Sequence, residues 1–112
     1  MATVSTHVLD TAHGHPAAGL RVVLESSITD GWEYVAAGPT DDDGRVAALA
    51  GDDGVPAGVH RMTFDTGPWF GEHGVAAFYP RVIVLFEIAD ADAHHHVPLL
   101  LSPYGYSTYR GS

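Results

Sequence analysis

Histidines are the chemically most prominent residues of this chain. The 112 residues include eight histidines and no cysteine, and His94, His95 and His96 are consecutive. Imidazole titrates near about pH 6.5, so it can accept or donate a proton at neutral pH, and it is also the commonest transition-metal ligand. The histidines therefore point to acid–base or metal chemistry. The absence of thiols excludes cysteine nucleophiles, disulfides and thiolate metal sites.

The run from His94 to His96 has two readings from the sequence alone. A solvated turn is the commoner role of an arbitrary histidine run. A metal site is the second reading, but consecutive strand residues point to opposite faces, so only His94 and His96 can converge and a further ligand must come from elsewhere. We therefore rank a catalytic zinc site below a metal-free site, and we expect no metal and no cofactor.

Cationic groups are few, which makes each of them worth considering. The chain has five arginines and no lysine against 14 acidic residues, giving a formal net charge of -9. Arg45 follows Asp43 and Gly44 and, taken alone, would more often be an exposed loop cation; Arg110 would more often be a solvated terminal residue. The negative charge opposes binding to nucleic acid phosphates or anionic lipids, so we expect neither nucleic acid nor membrane as a partner.

Short strands are the elements that must position these residues. Alternating side chains predict a strand at Ser5–Asp10, which carries His7. Further strands are predicted at Leu20–Ser27, Trp32–Ala37, Val46–Ala50, His60–Thr66 and Arg81–Ile88, followed by a terminal pair of strands. The glycine-rich segment Gly67–Gly74 allows at most one or two helical turns. Seven or eight short strands with close turn signals indicate an all-β, two-sheet antiparallel sandwich.

The strand Arg81–Ile88 is apolar on both of its faces. We assign one face to Val82, Val84 and Phe86, and the other to Ile83, Leu85 and Ile88. Such a strand is expected to be covered by the core on one side and by a second subunit on the other.

Length and the first residues bound the organisation of the chain. A chain of this size fits one domain spanning residues 1–112. Met1 to His7 shows no basic stretch followed by an apolar run, and no apolar segment approaches the length of a membrane span. We therefore expect a single domain in a cytoplasmic protein.

The end of the chain resembles the C-terminal signature of a known family. Tyr109-Arg110-Gly111-Ser112 is similar to the terminal Tyr-Arg-Gly-Ser of the 5-hydroxyisourate hydrolases, the transthyretin-related enzymes of purine (urate) breakdown. Further matches lie at Ser5–Asp10, Asp43–Arg45, Thr63–Gly67 and Phe78–Pro80, so the resemblance covers essentially the whole chain. It implies a transthyretin-like (prealbumin-like) sandwich with one short helix, and a homotetramer, a dimer of dimers, with active sites between subunits.

The resemblance also implies an activity and its residues. The activity is hydrolysis of 5-hydroxyisourate to 2-oxo-4-hydroxy-4-carboxy-5-ureidoimidazoline, by attack of water on a ring carbonyl. Carried over residue by residue, the catalytic positions are His7, Arg45, His96 and Ser112, and the substrate-binding positions are Tyr109, Arg110 and Gly111. The family usually has His-Tyr-His where this chain has His94 to His96, so His95 is a departure at the middle position.

These implied roles are chemically coherent. The two histidines would activate water and move protons, and which of them is the base remains open. The guanidinium of Arg45 would bind substrate and the developing oxyanion. Tyr109 and Arg110 would line and orient the site, and the carboxylate of Ser112 would orient a histidine.

Two other function classes compete with a hydrolase. A transthyretin-like small-ligand binding protein could use the same fold, but a carrier of an apolar hormone does not need two histidines, an arginine and a terminal Arg-Gly-Ser, and the related carriers lack the terminal tetrapeptide. A small adhesive or sugar-binding sandwich would expose aromatic side chains on a loop. Trp32 and Trp69 are the candidates for that role, although Trp69 lies where the resemblance places the helix.

Overall fold

Two β-sheets and one short helix make up the architecture. The computed structural model describes residues 1–112. The elements are β1 (Thr3–Asp10), β2 (His15–Pro16), β3 (Arg21–Ile28), β4 (Gly31–Pro39), β5 (Arg45–Val46), β6 (Gly58–Phe64), α1 (Thr66–Glu72), β7 (Val82–Ile88), β8 (His94–Ser102) and β9 (Gly105–Thr108). The expected all-β, two-sheet sandwich with one short helix is confirmed. Because β2 and β5 have only two residues each, seven longer strands carry the sheets.

The strand order joins distant parts of the chain. One sheet has the order β2-β1-β8-β9, with β5 also paired to β1, and the other has the order β4-β3-β6-β7. All pairs are antiparallel except β1 and β8, which run parallel along Thr3–Asp10 and His94–Leu101. The sequence predicted antiparallel sheets and gave no sign of this exception. No hairpin joins β1 to β8, so no turn imposes an antiparallel direction on them.

The core lies between the sheets and is closed by the helix. Twenty buried apolar residues form one cluster, to which strands of both sheets and α1 contribute. Phe64 and Phe70 are its largest fully buried side chains, and burial of each contributes roughly 1.5 to 3 kcal/mol. The indole N–H of Trp69 donates to the Ala18 carbonyl at 2.7 Å, which fixes α1 against the chain between β2 and β3. Trp69 is therefore a core residue of the helix and not an exposed loop aromatic.

Two local predictions need correction. The expected strand Val46–Ala50 is limited to Arg45–Val46, and turns follow it. Leu49 and Ala50 lie in those turns, and their side chains are buried in the core. The Leu49 N–H donates to the Val4 carbonyl at 3.0 Å. Apolar residues here signalled burial and not a strand.

The second correction concerns the faces of β7. Ile88 lies on the inner face with Val82 and Val84, because strand side chains alternate with a period of two. The outer face keeps two large apolar side chains uncovered in the single chain, with Ile83 50% and Leu85 65% exposed. The single helix α1 has seven residues, so it is too short to span a membrane.

Candidate active site

The parallel pairing of β1 and β8 brings together hydroxyls and imidazoles that are distant in sequence. Ser5 is the cross-strand partner of His96, and His7 is the partner of Pro98. Paired residues of neighbouring strands point to the same side of a sheet, so Ser5 and His7 share one face with His94 and His96. His95 points to the opposite face, where it is buried and its Nδ1–H donates to the Ala93 carbonyl at 3.1 Å. The histidine run is therefore split between the site and the core.

A chain of four hydrogen-bonding side chains runs along this face. Thr3 Oγ1 lies 2.6 Å from His94 Nδ1, Ser5 Oγ lies 2.8 Å from His94 Nε2, and Ser5 Oγ lies 2.8 Å from His96 Nδ1. A serine hydroxyl has one proton, so Ser5 donates to one imidazole and accepts from the other when both are neutral. The tautomers of His94 and His96 are therefore coupled through Ser5.

One direction of the hydrogen bonds among these four side chains makes His96 a base. If His96 Nδ1–H donates to Ser5, Ser5 donates to His94 Nε2, and His94 Nδ1–H donates to Thr3, every group has a partner and His96 Nε2 keeps a free lone pair. Both ring nitrogens of His94 are engaged by hydroxyls, so His94 offers no free lone pair to a metal. The arrangement suits proton transfer better than metal binding.

Arg45 is held at the site by a tight turn. Asp41 Oδ1 accepts hydrogen bonds from the backbone N–H of Asp43 and of Arg45, both at 2.9 Å. Gly44 has φ +77°, and a side chain there would overlap with the Val8 carbonyl of β1, so the turn lies directly on that strand. Arg45 then pairs with His7 in the short β5–β1 ladder. The backbone of Arg45 is thus fixed beside His7 while its side chain is exposed to the pocket.

The C-terminal residues are tied to His96. The Gly111 N–H donates to the His96 carbonyl at 2.9 Å. A side chain at Gly111 would overlap with the His96 ring, so the last residues pass closely over the imidazole. This path brings Ser112 to the pocket.

A polar pocket of about 320 Å³ collects these groups. It is lined by Ser5, Thr6, Arg45, Ala47, His94, His96 and Ser112. Three of the four predicted catalytic residues, Arg45, His96 and Ser112, therefore line one pocket. The fourth, His7, is half-buried on β1 beside Arg45, close enough for its charge to affect His96.

The predicted substrate-binding residues lie on another side of His96. Tyr109 and Arg110 line a second cavity of about 200 Å³ together with residues of β7, and His96 lines both cavities. Gly111 packs against His96 itself. The structure thus separates the terminal tetrapeptide into two positions, with Tyr109 and Arg110 facing β7 and Ser112 facing Arg45.

The electrostatics keep the imidazole of His96 neutral. Burial lowers the pKa of His96 below the ordinary 6.5, and the charges of Arg45, His7 and His94 lower it further. A neutral imidazole is the form that can accept a proton, so His96 is available as a base at neutral pH.

Local sequence patterns assign no role to Thr3 and Ser5, and they indicate His94 only as a metal ligand or turn residue. Ser5 lies two residues before His7 and so had to share its face, which was an available signal. The contact of Ser5 with His94 and His96 depends on the parallel register with β8, which no local pattern reveals.

The chain is similar to known proteins over nearly its whole length. The sequence model of the HIUase/Transthyretin family matches residues 4–111. A relative from Rhizobium meliloti named 5-hydroxyisourate hydrolase 2 is 47% identical, covering 97% of this chain and 95% of the relative. A 5-hydroxyisourate hydrolase from Pseudomonas aeruginosa is 44% identical, covering 100% of this chain and 93% of the relative.

Two solved structures are similar over nearly the whole chain. The 5-hydroxyisourate hydrolase of Klebsiella pneumoniae has a TM-score of 0.88 at 39% identity and covers 100% of both chains. Transthyretin from Sparus aurata has a TM-score of 0.90 at 31% identity, covering 97% of this chain and 96% of the other. The fold alone therefore does not separate hydrolase from carrier.

Proposed function

The chain belongs to the HIUase/Transthyretin family, and from this premise we propose that it is an enzyme that hydrolyses 5-hydroxyisourate. The observation that carries the proposal is the polar pocket in which a neutral imidazole, a guanidinium and a chain-terminal residue converge at His96, Arg45 and Ser112. Such a pocket offers a proton acceptor and positive charge to a substrate carbonyl, which is what amide hydrolysis requires.

The reaction uses these groups in sequence. His96 Nε2 accepts a proton from water as the water oxygen attacks the ring carbonyl, and Arg45 stabilises the oxyanion with two parallel N–H donors. The carbon–nitrogen bond of the ring then breaks, and the leaving nitrogen takes up a proton from the imidazolium. The carbonyl carbon becomes a carboxylic acid, which releases its proton to solvent at neutral pH. No covalent enzyme intermediate is needed.

The hydroxyl chain supports this proton transfer. While His96 holds the proton, its Nδ1–H donates to Ser5, and Ser5 in turn donates to His94. Hydrogen bonds that polarise one another strengthen along such a chain, so the charge on His96 is partly stabilised by His94 and Thr3. Ser5 and His94 act in this scheme as positioning residues.

The other predicted residues have supporting roles. We assign His7 to proton exchange with water or substrate, and its backbone pairing with Arg45 on the β1–β5 ladder supports this role. Ser112 lines the same pocket, and we assign it to orienting an imidazole. Tyr109 and Arg110 line the adjacent cavity and would bind the remainder of the substrate.

The carrier function is the second candidate, because the Sparus aurata transthyretin has the same fold and a structure of sea bream transthyretin was solved in complex with thyroxine. The pocket beside Arg45 argues against that function here. Only one of its seven lining residues is hydrophobic, whereas an apolar hormone requires an apolar channel. Thyroxine binding without ring-opening activity would favour the carrier.

A homotetramer, a dimer of dimers, is part of the proposal. The uncovered Ile83 and Leu85 on β7 support it, because exposed apolar side chains on an edge strand are suited to an interface. Sedimentation of a fully active monomer at micromolar concentration would contradict it. The single domain spanning residues 1–112, supported by one core cluster shared by both sheets, and the cytoplasmic location stay predictions.

The direct test follows the loss of freshly generated 5-hydroxyisourate by absorbance. His96→Ala is expected to lower kcat by roughly 10² to 10⁴-fold, as is typical of a lost general base. Arg45→Ala is expected to lower it by roughly 10² to 10³-fold. Arg81→Ala is the matched control, because Arg81 is exposed and forms no ion pair. Equal activity of all these proteins would refute the assignment.

Two further variants complete the test. His7→Ala and a chain ending at Thr108 remove the second imidazole and the terminal tetrapeptide, and both are expected to be slower by at least about tenfold. His15→Ala is the histidine control, because His15 is exposed and lies outside the pocket. Circular dichroism of each variant verifies its fold.

A further inference from the structure

A second histidine cluster lies away from the pocket just described, at the turn after β1. Asp10, His13 and His15 each place a carboxylate oxygen or an imidazole nitrogen within 4.8 Å of the other two. They line a separate cavity of about 150 Å³ next to the helix, with Trp69, Phe70, His73 and Val75 on its other walls. None of these residues has a part in the proposed hydrolysis.

The backbone of the turn holds these side chains together. Asp10 Oδ1 accepts hydrogen bonds from the N–H of Ala12 and of His13, both at 3.1 Å, and the Gly14 N–H donates to the Asp10 carbonyl at 2.8 Å. Gly14 has φ +76°, a conformation that favours glycine, and the chain then returns along β1 with His15 opposite Asp10. The rings of His13 and His15 consequently stack, with centroids 5.8 Å apart and planes at 19°.

The hydrogen bonds of the imidazoles leave nitrogen lone pairs available. A carbonyl or carboxylate can only accept, so His13 Nδ1–H donates to Asp10 Oδ2 at 2.7 Å and His15 Nδ1–H donates to the Pro16 carbonyl at 3.0 Å. When neutral, each ring therefore carries its lone pair on Nε2. His73, across the cavity, has the same arrangement, with Nδ1–H donating to the Trp69 carbonyl at 2.7 Å. An imidazole whose Nδ1–H is held by an oxygen is the usual form of a metal-binding histidine.

We propose that Asp10, His13 and His15 bind a zinc-type divalent cation at the turn between β1 and β2. Two imidazoles and one carboxylate are a donor set that zinc takes up in four-coordinate sites, and hard cations such as Mg²⁺ prefer all-oxygen sites. Donor atoms around tetrahedral zinc lie roughly 3.3 Å apart, so atoms that lie within 4.8 Å of one another have to close by at most about 1.5 Å. His13 would bind through Nδ1, with its proton moved to Nε2 and the ion in place of the proton now shared with Asp10 Oδ2. His13 is 50% exposed and His15 is exposed, so rotation of their side chains can provide this.

The charge and position of the site favour a bound cation. Asp10 is 2% exposed, and a buried carboxylate is stabilised by an added positive charge. The cation would link the end of β1 to β2 across the turn that joins them, beside the cavity wall that carries Trp69 and His73. It would therefore act as a structural clamp and not as part of the hydrolysis.

The test is zinc binding to metal-free protein, measured by titration calorimetry, with Mg²⁺ as the negative control. We expect one Zn²⁺ per chain at this site, binding at least about tenfold more weakly to His15→Ala than to the unmodified protein. The double variant His94→Ala/His96→Ala is the matched control, since it removes two histidines from the other cluster. This double variant should bind zinc with the affinity of the unmodified protein.

Two readouts separate this proposal from folding and from the hydrolysis. The imidazole proton resonances of His13 and His15 should shift on addition of one equivalent of Zn²⁺, and the melting temperature should rise. Metal-free His15→Ala should retain full hydrolase activity. Zinc binding that is absent, that His15→Ala leaves unchanged, or that only His94→Ala/His96→Ala abolishes would overturn the proposal.

Discussion

The Ser5→Ala substitution removes one hydroxyl and tests whether proton transfer at His96 depends on the hydrogen bonds of Ser5 to His94 and His96. Ser5 Oγ is the only side-chain atom that contacts both imidazoles, at 2.8 Å from His94 Nε2 and 2.8 Å from His96 Nδ1. The substitution removes both hydrogen bonds and adds no bulk, since alanine is smaller. It leaves the backbone pairing of β1 with β8 in place.

The magnitude follows from the two lost bonds. Each is worth about 1 kcal/mol net, and a buried nitrogen left without a partner costs about 1 to 3 kcal/mol. His96 is half-buried and His94 is exposed, so this second cost falls chiefly on His96 Nδ1 and only in part. Ser5 is only 9% exposed, so water does not readily replace its hydroxyl. A loss of about 1.4 to 2.8 kcal/mol in the stabilisation of protonated His96 corresponds to a kcat roughly 10 to 100-fold lower.

The assay compares kcat for 5-hydroxyisourate in three variants. Thr3→Val removes only the outer hydroxyl, which contacts His94 and not His96, so we expect a reduction of less than about fivefold. Ser26→Ala, on β3 of the other sheet, is the control for the serine-to-alanine change and should have unchanged kcat. If Ser5→Ala also keeps kcat within twofold, the Ser5 hydroxyl does not support His96 as the base, and the proposed hydrogen-bonded path from His96 to His94 is wrong.

Three further predictions concern the turn at Gly44 and the titration of two histidines. Gly44→Ala and Gly51→Ala both place a side chain at positive φ, which costs about 1 to 2 kcal/mol each, but only at Gly44 does the new atom meet the backbone of β1. Urea unfolding should therefore show a loss in the free energy of unfolding that is larger by about 1 to 3 kcal/mol at Gly44 than at Gly51. Equal losses would contradict the packing of this turn. Burial, and then the charge of Arg45, hold the pKa of His96 below 6.5 in the free protein, whose titration is reported by kcat/KM. Therefore kcat/KM should persist below pH 6.5 and fall only in more acid solution as His96 protonates; a decline centred at 6.5 or above would count against His96 as the base. Burial also lowers the pKa of His60 below 6.5, so the unfolded chain binds a proton more readily than the folded one. The free energy of unfolding should therefore decrease as the pH falls below 6.5. A smaller decrease in His60→Gln would attribute the effect to His60, and an identical decrease would contradict that attribution.

The sequence predicted the elements well where alternation and turn residues agree. The strand carrying His7 was expected from local chemistry, because it depends on the side-chain period of two. For α1, the local pattern allowed one or two helical turns, and the family resemblance implied the helix itself. Val46–Ala50 was misread because burial in a turn and burial in a strand leave the same apolar composition.

The grouping of the site residues required more than local patterns. That His7, Arg45 and His96 meet was expected only from family resemblance, since their positions are far apart in sequence. The contacts of Ser5 with two histidines depend on which residues of β1 and β8 are paired, and a shift by one residue would place His95 in the pocket instead of His96. That register is a property of the whole sandwich and cannot be read from either strand alone.

The β1–β8 ladder also has a kinetic consequence. It joins an early strand of the chain to one of the last, and loop closure over such a separation makes a slow step in folding. Until β8 has been synthesised, one edge of β1 has no neighbour and is open to association with other nascent chains. In native-state hydrogen exchange, the amides of β1 and β8 should lose protection together. A partial opening that releases β8 would therefore disrupt the pocket while the opposite sheet remains intact.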